Sequence, residues 1–158
     1  VALGAVARVD GLRLLIAGDG PDRARVEREA VDLGVGDRVR FLGSLERVGV
    51  LELFRAADVS ILSSSWENFP HTVVESLAVG RPVVATRAGG VTEVVRDGEN
   101  GLLVEPGDVE GFARALERYL ADAALRARLE AAAAPSVEHL SVERTYQRLR
   151  EILRIACR

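Results

Sequence analysis

Lysine and methionine do not occur in this chain of 158 residues, cysteine and tryptophan occur once each, and aromatic residues make up only 4%. Each scarcity removes a class of chemistry. All 21 basic residues are arginine, so Schiff-base catalysis and lysine-dependent phosphate loops have no residue to use. The single Cys157, one residue from the end, can build neither a disulfide framework nor a cysteine-based zinc site, and the composition reads as that of a reducing, cytoplasmic compartment. No apolar run approaches the roughly 18–20 residues of a membrane span, and Val1 opens no secretory leader pattern. The absent initiator Met leads us to expect an excised fragment. Acids outnumber bases 24 to 21, a net charge of -3, which argues against partners held by counterion release; nucleic acid is not expected.

Hydrophobic residues make up 48% and charged residues 28%, enough apolar matter for one globular domain of ordinary size. Short β-branched runs alternate with longer helical stretches, the pattern of strand-helix units in a parallel sheet. Five strands are expected: Leu12 to Ala17, Val39 to Leu42, Val59 to Leu62, Pro82 to Thr86 and Leu102 to Val104, each apolar on both faces. Crossover helices are expected where Val26, Ala30 and Leu33, and then Val50, Phe54 and Ala57, repeat at i, i+4, i+7. The chain ends in helices: one after an Asp108 cap carrying Val109, Phe112, Ala113, Leu116 and Leu120, one over Ala121 to Ala134 that Pro135 stops, and one after a Ser141 cap with Val142, Tyr146, Leu149 and Leu153.

Two segments carry candidate chemistry. The first, Gly18-Asp19-Gly20-Pro21, follows the first strand; its glycines permit a tight turn, and Pro21 suits a first helical position. Arg23 stands where a dinucleotide fingerprint needs its third glycine, so this is either a nucleotide-facing turn or simply a turn. The second runs from Ser63 through Trp66-Glu67-Asn68-Phe69-Pro70-His71-Thr72 into an apolar helix ending at Gly80. N–H groups near residues 69 to 73 would lie at the positive end of a helix dipole, a ready site for a diphosphate. Glu67 precedes that helix and Glu75 lies in its first turn. Carboxylates beside a phosphate repel it, so two of them make sense where each faces neutral hydroxyls on either side of the anion, the layout of a nucleotide-sugar. Against this, Thr72-Val73-Val74-Glu75 also matches a capping box, which would make Glu75 structural. His71 reads as a diphosphate donor or a solvated loop residue, Trp66 as a hydrophobic plug at the domain edge, and Arg81 and Arg87 as phosphate-reaching or surface-paired. Gly89-Gly90 either adds N–H donors or turns the chain.

Taken in order, Leu14 to Pro21, Asp37-Arg38-Val39-Arg40-Phe41-Leu42-Gly43, Ala56-Ala57-Asp58-Val59, the Glu67/Glu75 pair with seven residues between, Gly80 to Thr86, Gly89 to Val95 and Asp97 to Val104 resemble the retaining glycosyltransferases of family 4. That resemblance implies an α/β, Rossmann-like, doubly wound parallel sheet, the C-terminal donor-binding domain of a GT-B fold. It implies that Glu67, in the catalytic role, contacts the donor sugar and Glu75 the ribose. It further implies that Asn68, Phe69, Pro70, His71 and Thr72 meet sugar and phosphates, that Gly18 and Gly20 line the donor site, and that Ser44, Leu45 and Arg47 flank the base. Pro70 stands where many members have glycine and lacks an N–H, which displaces one donor position. The family's first strand, with its Arg and Lys, would precede Val1, as would the N-terminal domain that binds acceptor. The expectation is therefore a donor-binding half, inactive alone, of an enzyme moving a hexose from a nucleotide-diphosphate sugar with retention. No cofactor is expected, and no Asp-x-Asp pair offers a metal site. A nucleotide-sugar 2-epimerase of the same architecture and a non-catalytic nucleotide-binding module are the alternatives.

Overall fold

The computed structural model describes residues 1–156; Cys157 lies outside them. In chain order the elements are α1 (Ala2–Arg8), β1 (Leu14–Ala17), α2 (Arg23–Asp32), β2 (Val39–Gly43), α3 (Arg47–Ala56), β3 (Ser60–Leu62), α4 (His71–Ala78), β4 (Val83–Thr86), α5 (Val91–Val94), β5 (Gly101–Val104), α6 (Val109–Ala121), α7 (Ala123–Val137) and α8 (Val142–Ala156). Every paired strand runs parallel to its neighbour, as the apolar runs and intervening helices require.

The strands pair in two groups rather than in one continuous ladder: β1 with β2, and β3-β4-β5. Period-two alternation divides the larger group between two cores. Val84, Leu102 and Val104 face Phe112, Leu116 and Tyr119 of α6 with Leu125 and Leu129 of α7. Val83 and Ala85 face Val73 and Leu77 of α4, with Val91 and Val94 of α5 and Ala133 and Val137 of α7. Helices thus cover both faces, the doubly wound arrangement. A third cluster joins Leu14 and Val39 to Leu3 and Val6 of α1 and Ala30 of α2, with Ile16 and Ile61 packed against it. Only β4 and β5 are buried on both faces as expected; Leu15 of β1 stays 42% exposed, and no residue of β3 is fully buried.

Several boundaries differ from the sequence reading. Helix α1 was not expected, being a seven-residue Ala/Val segment without a side-chain cap; it forms because Leu3, Ala5 and Val6 bury against later elements. Helix α2 begins at Arg23, since Pro21 and Asp22 remain in a turn closed by the Arg23 N–H to the Gly20 carbonyl, 3.1 Å. Asp122, whose carboxylate caps the Leu125 N–H at 2.9 Å, starts α7. Pro135 does not stop that helix. It sits in the last turn, where one lost N–H bond matters little, and Ala133 and Val137 are buried on either side of it. The α8 stripe of Val142, Tyr146, Leu149 and Leu153 is exposed, and α8 buries no residue.

Polar ties lock the end of the sheet opposite the candidate site. The Arg81 guanidinium donates to the carbonyls of Phe54, Arg55 and Asp58 at 3.1–3.2 Å, capping the C-terminus of α3; it reaches no phosphate position. Beside it the buried Tyr119 hydroxyl donates to the Asp58 carbonyl at 2.7 Å. Burial, then the Glu130 carboxylate, push this phenol up to about 12. A phenol raised in the folded state contributes stability that is complete below pH 10 and is lost as pH climbs through 12. Urea melts of the native chain should therefore show stability falling across that window. Tyr119→Phe should cost about 1 kcal/mol near neutrality and flatten the alkaline slope.

Candidate functional site

The loops leaving β1, β2, β3 and β4 collect at the carboxyl ends of the strands, where open α/β sheets place ligands. At β1 the turn is tied to β2: the Gly18 N–H donates to the Gly43 carbonyl at 2.8 Å, and Gly18 takes φ +128°, a value that glycine alone adopts comfortably. Gly18 and Gly20 are exposed along this rim, as are Ser44, Leu45 and Arg47 beyond Gly43. Arg47 opens α3 and reaches α4, its Nε donating to Oε1 of Glu75 at 3.1 Å.

Helix α4 starts at His71 with Pro70 at its N-cap and no side-chain cap. The capping-box alternative is overturned: Thr72 lies inside the helix, and Glu75 turns to Arg47 instead of back to the chain. With Arg47 78% exposed, such an ion pair contributes about 0–1 kcal/mol and can yield readily to a ligand. Pro70 is buried, its carbonyl accepting from the Val73 and Val74 N–H groups, while the His71 N–H is spent on the Phe69 carbonyl. Among the described residues the N–H groups of Asn68, Phe69 and Thr72 have no protein acceptor. These, rather than the full stretch 69–73, are the donors available at the positive end of α4. His71 and Phe69 are exposed and meet edge to face, ring centroids 5.0 Å apart. Trp66 does not plug the domain edge. It is 73% exposed, because the loop projects it away from every apolar cluster.

Glu67 is half-buried, and its Oε1 accepts from the Ser64 hydroxyl at 2.8 Å. Both acids thus have one oxygen engaged, while Oε2 of each has no protein partner among the described residues. The Gly89-Gly90 turn, which the sequence left open between two roles, presses on this loop. The Gly90 N–H donates to the Glu67 carbonyl at 3.1 Å, so it serves the loop and not a ligand. Ser64 and Thr86, whose hydroxyl bonds the Ser64 carbonyl at 2.5 Å, were not singled out from sequence; a lone Ser in a Ser-rich run and a Thr ending a strand carry no pattern of their own. Arg87 pairs with Asp97 at 3.0 Å and with Glu105 at 3.3 Å. It lines a separate hollow of about 370 Å³ between β5 and α6 that none of the other candidate residues borders.

A parallel, helix-covered sheet whose glycine turns and polar loops gather at one rim defines a Rossmann-like domain of the kind that forms the C-terminal half of GT-B glycosyltransferases. The chain belongs to the glycosyl transferases group 1 family, whose model matches residues 2–135. It is 48% identical over 125 residues to the lipopolysaccharide core biosynthesis glycosyltransferase LpsE of Rhizobium meliloti (strain 1021), a match covering 79% of this chain and 36% of LpsE. Among solved structures it superposes on sucrose-phosphate synthase from Thermosynechococcus elongatus with a TM-score of 0.90 at 30% identity, covering 98% of this chain and 41% of that one. Anabaena HepE in complex with UDP-glucose gives a TM-score of 0.88 at 28% identity, with 96% and 43% covered. The chain therefore spans about two fifths or less of the length of these relatives.

Proposed function

We propose that this chain is the donor-binding half of a glycosyltransferase that takes a hexose from a nucleotide-diphosphate sugar with retention of configuration. One observation carries the reading: Glu67 precedes the N-terminus of α4, Glu75 lies just past its first turn and not within it as expected, and each keeps one carboxylate oxygen without a protein partner among the described residues. The free N–H groups of Asn68, Phe69 and Thr72 suit the diphosphate between them. Glu67 then accepts from hydroxyls of the sugar and Glu75 from the ribose, exchanging Arg47 for the diol. Likeness to HepE, solved with UDP-glucose, supports this donor class. As the sugar leaves, negative charge grows on the diphosphate, and the α4 N–H groups and dipole oppose it.

In the same reading the rest of the enzyme supplies the acceptor site and closes over the rim, excluding water. Among the described residues β1 pairs only with β2 and β3 only with β4. Gly18, Gly20, Ser44 and Leu45 border the donor at its nucleotide end.

Calorimetric titration with UDP-glucose and UDP tests the assignment. A hydrogen bond to a charged acceptor contributes roughly 1.5–3 kcal/mol, so Glu67→Ala should weaken UDP-glucose about 10- to 150-fold and leave UDP nearly unchanged. Glu75→Ala should weaken both ligands alike, because both carry the ribose. If neither substitution alters either affinity, the donor site lies elsewhere.

A further inference from the structure

The loop that carries Glu67 is held by β4 and the turn after it, through contacts that serve no evident purpose in the core. Thr86 closes β4 and is fully buried; its hydroxyl donates to the Ser64 carbonyl at 2.5 Å. The Ser64 hydroxyl donates in turn to Glu67 Oε1 at 2.8 Å. Main chain meets main chain at the same place: a Cβ on Gly89 would stand 2.0 Å from the Glu67 carbonyl oxygen, and one on Gly90 2.1 Å from that of Asn68. The Glu67 backbone is thus fixed by the glycine turn, and its carboxylate by a hydroxyl whose own backbone is fixed by Thr86.

We propose that Ser64 and Thr86 are positioning residues for Glu67, acting as a relay from the end of β4 to one carboxylate oxygen so that the other is presented to the donor sugar. The inference rests on the reading of Glu67 as the sugar-contacting acid. A glutamate side chain has three rotatable bonds, and freezing them on binding opposes association. A hydrogen bond already made by Ser64 removes part of that cost before the donor arrives. Glu75 has no such relay: its partner is the exposed Arg47, so only the sugar end of the donor meets a preset acceptor.

The test uses the whole chain with UDP-glucose and UDP as probes, alongside thermal melts. Ser64→Ala is expected to weaken UDP-glucose about tenfold, the effect of one hydrogen bond to a charged group, with UDP affinity unchanged. Ser64→Thr, which keeps the hydroxyl, should restore it, and Thr86→Val should reproduce the selective loss. In a Glu67→Ala background Ser64→Ala should have no further effect on UDP-glucose, since the relay then ends on nothing. Equal weakening of both probes by Ser64→Ala, together with a lower melting temperature, would assign Ser64 to fold maintenance and overturn the proposal. So would a Ser64→Ala variant that binds UDP-glucose as well as the unsubstituted chain does while Glu67→Ala binds it poorly, an outcome that leaves the role of Glu67 standing. A Glu67→Ala variant with undiminished UDP-glucose affinity removes both readings together.

Discussion

Gly90→Ala is expected to weaken donor binding on the order of 100-fold in a chain whose main cores remain intact. The new Cβ would lie 2.1 Å from the Asn68 carbonyl oxygen and 3.1 Å from its carbon, both backbone atoms, so no side chain can swing away to relieve the overlap. The loop must retreat by an ångström or so, and misplacing a binding group by about 1 Å costs on the order of 100-fold. The Gly90 N–H bond to the Glu67 carbonyl would be lost with it. Overpacking of this kind costs about 1–3 kcal/mol of stability, enough to lower the melting temperature without unfolding the chain at 25 °C. Gly89→Ala should behave alike for two reasons, a 2.0 Å approach to the Glu67 carbonyl oxygen and a φ of +49° that disfavours any side chain. Calorimetry with UDP-glucose and thermal melts measured on one sample separate the two losses. An alanine variant retaining full affinity would show that the turn does not set the loop.

Phe112→Ala is expected to do the reverse, with a large loss of stability and a modest effect on affinity in whatever fraction stays folded. Phe112 is completely buried, in α6 among Val84, Leu102, Val104, Leu116 and Leu129, where helix, sheet and α7 meet. Truncating a buried phenylalanine leaves a cavity and costs roughly 3–5 kcal/mol. For a domain of this size total stability is about 5–15 kcal/mol, so the variant should stand near its unfolding threshold. Urea titration should show a lower midpoint with an unchanged slope, the sign of a stability change without an altered unfolded state. A shift below about 1 kcal/mol would mean that α6 is not the keystone its burial indicates.

Much of the fold was legible because parallel strands covered by helices must be short, apolar and separated by amphipathic stretches. All five strands fall within a residue or two of their expected places, and the helices after Asp108 and Ser141 begin where those residues invite them. What escaped was set by tertiary contact. Helix α1 has no cap or charge pattern, and nothing local announces that Leu3 and Val6 will be covered. Pro135 reads as a stop by a local rule that is weakest in the last turn of a helix, which is where it lies. The size of Trp66 suggests packing, yet its loop leaves it 73% exposed and outside every core cluster. At the candidate site the acids and the helix N-terminus could be named from spacing, since dipole and charge follow from the chain order itself. The partners that orient them, Arg47 for Glu75 and Ser64 for Glu67, are 28 and 3 residues away, and only folding decides which oxygen meets which donor. Thr86 and the glycine pair belong to the same category: their importance lies in a close approach that no periodicity records.

No main-chain hydrogen bond links β1 to β3 among the described residues, and the two strand groups are joined by side chains such as Ile61 against the Leu14 cluster and by α1 lying on α6. Within the described residues, parting β1 from β3 breaks no ladder, whereas parting β4 from β5 breaks one whose two faces are both covered. The rim straddles this seam, with Gly18 and Ser44 on one side and Glu67 and Glu75 on the other. A ligand bridging them would act as a staple between the two strand groups.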